Sequence, residues 1–289
     1  MKLALDETIK IYSHDDYLAS DPILFPKQYN RKEDIEIISL LSCLFAYGNV
    51  RSIKSFLAPI FQTLGPTPYH SLATRDDFYT KALKEISYYR FQTKADNIIF
   101  LKAISSICEA HRKSKTNSPI FESAFLDDGV EFEPIFGISK FQKFLESNIT
   151  FVSDSKALSP GLRFLIGDPQ SKSPKKRICL FLRWMVRDGF PDFGIYKQIR
   201  KEQLAFPLDV HIQRLIKILG ISKRKTFILS EAKLVSEYFK LLNPDDPLLY
   251  DFFLTRVGMI QKCKGVKVAA ICNQCKLEDV CLIGSATGN

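Results

Sequence analysis

The stretch FPLDVHIQRLIKILG, residues 206–220, combines a helix start, an apolar helical repeat and a helix stop. Pro207 keeps the residue before it in extended backbone, and Asp209 is typical of an N-cap, because its carboxylate can accept hydrogen bonds from the free amides of the first turn. Apolar residues then recur at helical spacing, and a glycine ends the run: Ile212, Leu215, Ile216, Leu219 and Gly220. The stretch predicts a helix with one buried face, whose capping carboxylate is either purely structural or part of a functional site.

The rest of the chain also predicts helices. Helical apolar patterns are separated by loops rich in Pro, Gly and Ser, and no run alternates as a half-buried strand would. No internal repeat is visible. The segments with helical patterns are 34–64, 75–87, 93–112, 119–160, 176–187, 230–242 and 250–260. We therefore predict an all-α protein.

Composition and charge limit the class of protein to which the chain can belong. With 46% hydrophobic and 25% charged residues in 289, the chain can bury a large core as an ordinary globular protein. It has no apolar run near the roughly 18–20 residues that span a bilayer, and residues 1–20 lack a signal-peptide pattern, so we expect a cytoplasmic protein without a membrane partner. A net charge of +9 favours a polyanionic partner, nucleic acid first.

The cysteines fall into two groups. Cys43, Cys108 and Cys179 stand singly in apolar, helix-like surroundings, which is typical of core residues. The other four are clustered, with eight, two and five residues between them: Cys263, Cys272, Cys275 and Cys281. In a reducing compartment such clustering favours a bound metal over disulfides, so the loop predicts an iron–sulfur cluster or a tetrahedral zinc, with free thiols as the remaining alternative.

The segment CNQCKLEDVC, residues 272–281, resembles the C-terminal [4Fe–4S] loop of endonuclease III-type DNA glycosylases. The gap after Cys263 is eight residues, longer than in that family, so Cys263 is where the loop departs from the family's spacing. The resemblance implies that the four cysteines hold a [4Fe–4S] cluster, with zinc as the alternative.

Three further segments resemble the helix-hairpin-helix (HhH-GPD) DNA glycosylase superfamily, in the order in which that superfamily has them. PLDVHIQRL (207–215) looks like its catalytic segment, with Asp209 in the aspartate position, and RFQTKADNII (90–99) is similar to a helix of its first lobe. LLSCLFAYGNV (40–50) resembles its early helix, which ends at the turn that faces the lesion; this would bring Asn49 and Tyr47 near DNA.

The resemblance implies two helical lobes with Asp209 at the cleft between them. The expected central lobe is 34–205, including a hairpin-like region at 167–187. The expected second lobe is 1–33 with 206–289, and it contains the cysteine loop at 263–281.

The hairpin is where the chain departs from the superfamily. Its usual Gly-rich LPGVGxK string is absent, and GDPQSKSPKKRICLFLRWM (167–185) stands in its place. This region looks more like the archaeal 8-oxoguanine glycosylase branch, in which a lysine precedes an apolar helix and lies some thirty residues before the aspartate. Lys176 lies 33 positions before Asp209. An uncharacterised bacterial family with the pattern KR…FLRWMVR…PLDVH is the nearest resemblance, and its activity is inferred from fold.

These likenesses imply a base-excision DNA glycosylase that removes a damaged base, with oxidised purines as one candidate class. Such an enzyme flips the nucleotide out of double-stranded DNA, and a carboxylate supports the positive charge on the sugar. Asp209 would take that role. Lys176, crowded by cations, would attack the sugar as a Schiff-base nucleophile and give AP-lyase activity, with Lys175 and Lys172 as alternatives. The expected DNA contacts are Asn49, Lys175, Arg177, His211 and Arg214.

Several alternatives stay open at this point. Asp209 could act with water alone, which gives a monofunctional glycosylase, or the scaffold could be a non-catalytic DNA- or RNA-binding protein. His211 is more often structural at a helix start, and Arg214 is more often a bracing residue than a phosphate contact. For the glycosylase, we expect a nucleoid-associated monomer.

Overall fold

The computed structural model describes residues 1–284, and that part of the chain is helical. It contains α1 (Lys2–Tyr12), α2 (Lys32–Leu44), α3 (Val50–Leu64), α4 (Pro68–Thr74), α5 (Asp77–Glu85), α6 (Lys94–Ser114), α7 (Pro134–Ser153), α8 (Pro160–Ile166), α9 (Lys176–Val186), α10 (Val210–Ile218), α11 (Leu229–Lys240), α12 (Asp251–Met259) and α13 (Ala269–Cys272). Short 3-10 turns lie between several of them. The described residues include no β-strand, only an isolated bridge between Tyr89 and Gln92. The all-α prediction is confirmed.

Several of the helices begin where the sequence supplies a capping side chain. The Asn49 side chain accepts a hydrogen bond from the Ser52 amide at 2.8 Å and starts α3. Thr93 and Asp96 form a capping box at the start of α6, each side chain accepting from the other residue's amide. Asp209 caps α10. Among residues 1–284, no helix has the length and apolar character needed to cross a membrane.

The chain divides into two compact units. The central unit is Ser20–Ser171 with Ile195–Ile199, and the terminal unit is Met1–Ala19 with Lys172–Gly194 and the chain from Arg200 onward. These bounds differ from the expected lobes, 34–205 against 1–33 with 206–289. Helix α9, which we expected in the central lobe, belongs to the same unit as α10 and α12.

Buried carboxylates explain why the short segment Ile195–Ile199 belongs to the central unit. Glu36 on α2 is fully buried and accepts hydrogen bonds from the Tyr196 hydroxyl and from the amides of Ile120 and Phe121, all at 2.8 Å. Glu122 accepts two more, from the amides of residues 197 and 198. These long-range bonds tie the segment to α2 and to the turn after residue 119.

Burial gives Glu36 a testable effect on stability. Burial raises the pKa of Glu36 to about 7, against the hydrogen bonds from Ile120, Phe121 and Tyr196, which favour the ionised form. A carboxyl whose folded pKa lies above its unfolded pKa stabilises the fold while protonated, and that stability is lost as pH rises through the folded pKa. We therefore expect the Glu36 contribution to the free energy of unfolding to fall by roughly 2–3 kcal/mol between pH 4.5 and pH 7.

The measurement is urea unfolding of the wild type and of Glu36→Gln across this pH range. The free energy of unfolding of the wild type, measured relative to that of Glu36→Gln, should fall as pH rises, because only the wild type has to bury a charge there. Glu33→Gln, on the outer part of the same helix with its side chain 38% exposed, is the control and should run parallel to the wild type. A Glu36→Gln curve parallel to the wild type would contradict the prediction.

A chain of buried ion pairs holds α9 in the terminal unit. Arg183 pairs with Asp192 and Asp251, and Arg187 pairs with Asp192 and Asp246. We call these five side chains the ion-pair ladder. Because Asp251 begins α12 and Asp246 lies just before it, the ladder joins α9 to the start of α12.

Candidate active site

Asp209 lies at the start of α10 with its two carboxylate oxygens in different surroundings. Oδ1 accepts hydrogen bonds from the amides of His211 and Ile212, both at 2.8 Å. Among residues 1–284, no group donates a hydrogen bond to Oδ2. Pro207 and Leu208 are buried before it, whereas Asp209 is half-buried and Val210 is exposed. The carboxylate is therefore anchored by one oxygen at the point where the chain reaches the surface.

The two lysines at the start of α9 have different environments. Lys175 is the N-cap residue, in left-handed backbone with φ 51°, and only 8% of its surface is exposed. It is the one lysine in the buried class among residues 1–284. Lys176 is the first residue of α9 and is half-buried, as is Arg177. Lys175, which we considered as an alternative nucleophile, is thus the less solvated of the two.

Asp251 and Cys179 connect this lysine end of α9 to Asp209. Burial raises the pKa of Cys179 to about 12, with the charge of Asp251 adding to the effect and that of Lys175 opposing it. Burial likewise raises the pKa of Asp251 to about 6; Arg183 opposes this rise and the charge of Asp209 adds to it. These pairwise interactions link Lys175 to Cys179, Cys179 to Asp251, and Asp251 to Asp209.

His211 and Arg214, both expected DNA contacts, have structural neighbours. The His211 side chain packs against Gly258 of α12 so closely that a Cβ there would lie 2.6 Å from the His211 Cβ. Its Nδ1 is buried without a hydrogen-bond partner among the described residues. The Arg214 guanidinium donates to the Cys263 carbonyl at 2.7 Å, which braces the beginning of the cysteine loop.

The four clustered cysteines border one small apolar cavity. Its volume is about 30 Å³, and its lining includes Leu215 and Val257 together with all four thiols: Cys263, Cys272, Cys275 and Cys281. Burial raises the pKa of Cys275, and the other three thiols raise it further. Within residues 1–284, no three Cys, His, Asp or Glu side chains are arranged to hold a metal ion.

Asn49, the remaining expected DNA contact, lies beside exposed aromatic rings in the central unit. Asn49 is exposed, and its side-chain oxygen caps α3. The neighbouring Tyr47 ring packs against Phe164 at 5.1 Å between centroids, and Phe164 packs against Phe91 at 4.4 Å. Arg90 lies 5.7 Å from the Phe91 ring. We call Tyr47, Arg90, Phe91 and Phe164 the aromatic patch; Phe91 is 56% exposed.

Two site residues were not predicted from the sequence. Asp251 follows the apolar residues PLLY, and Arg183 lies within FLRWMVR. Both segments have the pattern of an ordinary helix, which does not single out either residue. An arginine in the middle of an apolar helix was the available signal, because a buried cation requires a buried anion as its partner. The sequence alone does not say which of the aspartates that partner is.

Comparison with known proteins gives a family without an assigned activity. No curated protein and no solved structure matches the chain significantly. The family model described as "Protein of unknown function (DUF2400)" matches residues 21–260. The match includes α9, Asp209 and Asp251, whereas α1 and the four cysteines lie outside it. Since it covers most of the 289 residues, the chain belongs to the DUF2400 family.

Proposed function

We propose that this protein is a DNA base-excision repair glycosylase of the helix-hairpin-helix type that removes a damaged base, with oxidised purines as the first class to test. The observation that carries the proposal is Asp209, whose Oδ1 is held by two amides while its Oδ2 has no donor among the described residues. A second carboxylate, Asp251, lies within electrostatic range of Asp209, and Asp251 is in turn coupled to Cys179, which interacts with the buried Lys175.

The chemistry requires a fixed negative charge. As the bond between sugar and base breaks, positive charge develops on the sugar ring, and a carboxylate held in place stabilises it without reorganising. The two amide hydrogen bonds to Oδ1 fix Asp209, and the N-terminus of α10 supports its charge. Asp209 would thus stabilise the cation through Oδ2 and orient the nucleophile.

A lysine at the start of α9 would be that nucleophile. Its neutral amine attacks the sugar C1′, and the base leaves with the bonding electrons and gains a proton. The C1′–O4′ bond then breaks as the C1′=N bond forms, O4′ takes a proton, and the resulting Schiff base permits strand cleavage by elimination of the 3′ phosphate. The spacing to Asp209 supports Lys176, whereas Lys175 is the more buried of the two and is the alternative nucleophile.

DNA binding would use charge together with the aromatic patch. The net charge of +9 suits a phosphate backbone, so binding should weaken sharply with salt. Exposed aromatic rings beside an arginine suit stacking on bases. Asn49, Lys175, Arg177, His211 and Arg214 remain the proposed DNA contacts, with the last two also acting as packing residues.

The cysteine cavity would hold a [4Fe–4S] cluster. A mononuclear zinc draws four sulfurs to about 2.3 Å from one point, whereas a cubane cluster keeps them apart at its corners. The four cysteines line one apolar space, and the resemblance of residues 272–281 to a [4Fe–4S] loop favours the cluster over zinc. The cluster would fix the loop after α12, and the reaction needs nothing from it.

Base release from lesion duplexes is the direct test of this function. The protein is incubated with duplexes that carry 8-oxoguanine, an alkylated purine or an oxidised pyrimidine, and the released base is measured by mass spectrometry. We expect release from at least one of them. No release from any would contradict the proposal.

Borohydride trapping tests the lysine. With a competent lesion duplex, reduction should give a covalent protein–DNA adduct, because the Schiff base becomes a stable amine. Lys175→Gln and Lys176→Gln are matched variants: the one that abolishes the adduct identifies the nucleophile, and the other should retain it. Base release without any adduct in the wild type would instead indicate the monofunctional version, in which Asp209 acts with water.

Metal content tests the cavity. The anaerobically purified protein should be brown and contain close to four iron and four sulfide per chain. Cys275→Ala should lose iron and colour, whereas Cys179→Ala, at a buried cysteine outside the loop, should retain both. A colourless protein with stoichiometric zinc would contradict the iron–sulfur assignment.

One observation favours a second function, a non-catalytic nucleic-acid-binding protein on the same scaffold. The segment before α9 lacks the Gly-rich hairpin of the superfamily, and Lys175 occupies the left-handed position at its end. This version predicts tight, salt-sensitive binding of damaged or distorted duplexes that leaves the DNA unchanged.

A further inference from the structure

One face of α12 carries both a buried carboxylate and the contact with α10. Asp251, Thr255 and Gly258 lie four and three residues apart, so they share one side of the helix. Gly258 on that side is in close contact with His211, in the first turn of α10. Asp209 caps the same turn. The side of α12 that bears Asp251 is therefore the side that meets the first turn of α10.

The ion-pair ladder has one more carboxylate than it has cations. Arg183 and Arg187 compensate two of its three aspartates, which leaves a single excess negative charge when all five groups are ionised. The aspartates at the two ends of the ladder differ in exposure. Asp246 is 15% exposed, whereas the side chain of Asp251 is 3% exposed and receives a hydrogen bond from Arg183.

Charged and titratable groups surround Asp251 on several neighbouring elements. Helix α9 contributes Arg183 and Cys179, and Lys175 at the N-cap of α9 interacts with Cys179. The connection after α9 contributes Asp192, and α10 contributes Asp209 and His211. Helix α1 contributes Asp6, which accepts a hydrogen bond from the adjacent Tyr250 at 2.9 Å. On α12 itself, Arg256 stacks on Phe252 at 3.6 Å. The direct cation partner that these contacts give Asp251 is Arg183.

We propose that Asp251 is a positioning residue that places the excess negative charge of the ladder beside Asp209. This inference rests on the proposed function. The charge of Asp251 adds to the negative potential that Asp209 presents to a sugar cation, and Arg183 holds the Asp251 carboxylate in place. Asp251 thereby increases the rate of base release without touching the substrate.

The charge state of Asp251 makes the rate depend on pH. Burial raises the pKa of Asp251 to about 6, so the ladder is electrically neutral below that pH and carries its excess charge above it. Single-turnover base release should therefore rise by roughly tenfold through this pH, the effect of one pKa unit of interaction.

The experiment measures single-turnover base release from about pH 5 to pH 8 in the wild type, Asp251→Asn and Asp246→Asn. Each variant removes one carboxylate from the ladder; Asp251 lies on the side of α12 that meets α10, whereas Asp246 is the more exposed end, before α12 begins. We expect the rate of base release by Asp251→Asn to stay at the low-pH level of the wild type, without the rise near pH 6. Asp246→Asn should keep that rise. A rise that survives in Asp251→Asn, or that is lost equally in both variants, would overturn the inference.

A second measurement does not depend on activity. Carboxyl carbon NMR follows the titration of Asp251 in the wild type and in Asp209→Asn, a variant that keeps the helix cap. We expect the Asp251 midpoint to fall by roughly half a unit, because a neighbouring negative charge has been removed. An unchanged midpoint overturns the inference even if base release occurs; a shifted midpoint without base release upholds the charge coupling and refutes the glycosylase function instead.

Discussion

Replacing Asp209 by Asn is expected to reduce single-turnover base release by at least about a hundredfold while leaving the fold intact. Asparagine and aspartate are about equally good N-caps, so the amides of His211 and Ile212 keep an oxygen partner. What is lost is the negative charge. Since half-buried Asp209 is not part of the ion-pair ladder, no buried cation is left without its partner.

The measurement pairs the excision rate with thermal unfolding. Asp209→Asn should unfold within a few tenths of a kcal/mol of the wild type, a difference too small to explain a hundredfold loss of rate. Asp245→Asn, at an exposed aspartate of the same unit, should change neither quantity. Full activity in Asp209→Asn would exclude the proposed role and return Asp209 to a simple helix cap.

The part of the site that could be predicted from the sequence is local. Asp209 and α10 were predictable, because a cap residue and an apolar repeat lie within a few residues of each other. The turn at the end of the early helix (40–50) was expected from the resemblance, and the Asn49 side chain caps α3, which follows that turn. The four-cysteine loop was recognisable because its residues are close in sequence.

The part that could not be predicted depends on pairs that are distant in sequence. Arg183 and Asp251 are 68 positions apart, and Glu36 and Tyr196 are 160 apart. Neither pair could be predicted, because helical periodicity indicates which face of a helix is buried but not which charged side chain packs against that face. The same long-range pairs determine the unit boundaries, which is why α9 belongs with α12 and Ile195–Ile199 belongs with α2.

Arg187→Met is expected to be the most destabilising of the substitutions considered, at about 3–5 kcal/mol. The Arg187 side chain is 1% exposed; it pairs with Asp192 and donates two parallel hydrogen bonds of 2.8 Å to Asp246. Removing this cation leaves the buried Asp192 carboxylate with Arg183 alone. Methionine fills similar space, so the cost reports the uncompensated charge rather than a cavity.

The pH dependence separates charge from packing. Burial raises the pKa of Asp192 even with both arginines present. Loss of Arg187 would raise that folded pKa further above the unfolded one, so protonation stabilises the variant and the stability is lost as pH rises. Urea unfolding should therefore show that Arg187→Met lowers the free energy of unfolding more at pH 8 than at pH 5. A packing defect would lower it equally at the two pH values. Arg200→Met, which breaks an exposed pair with Glu202, should cost less than about 1 kcal/mol at either pH.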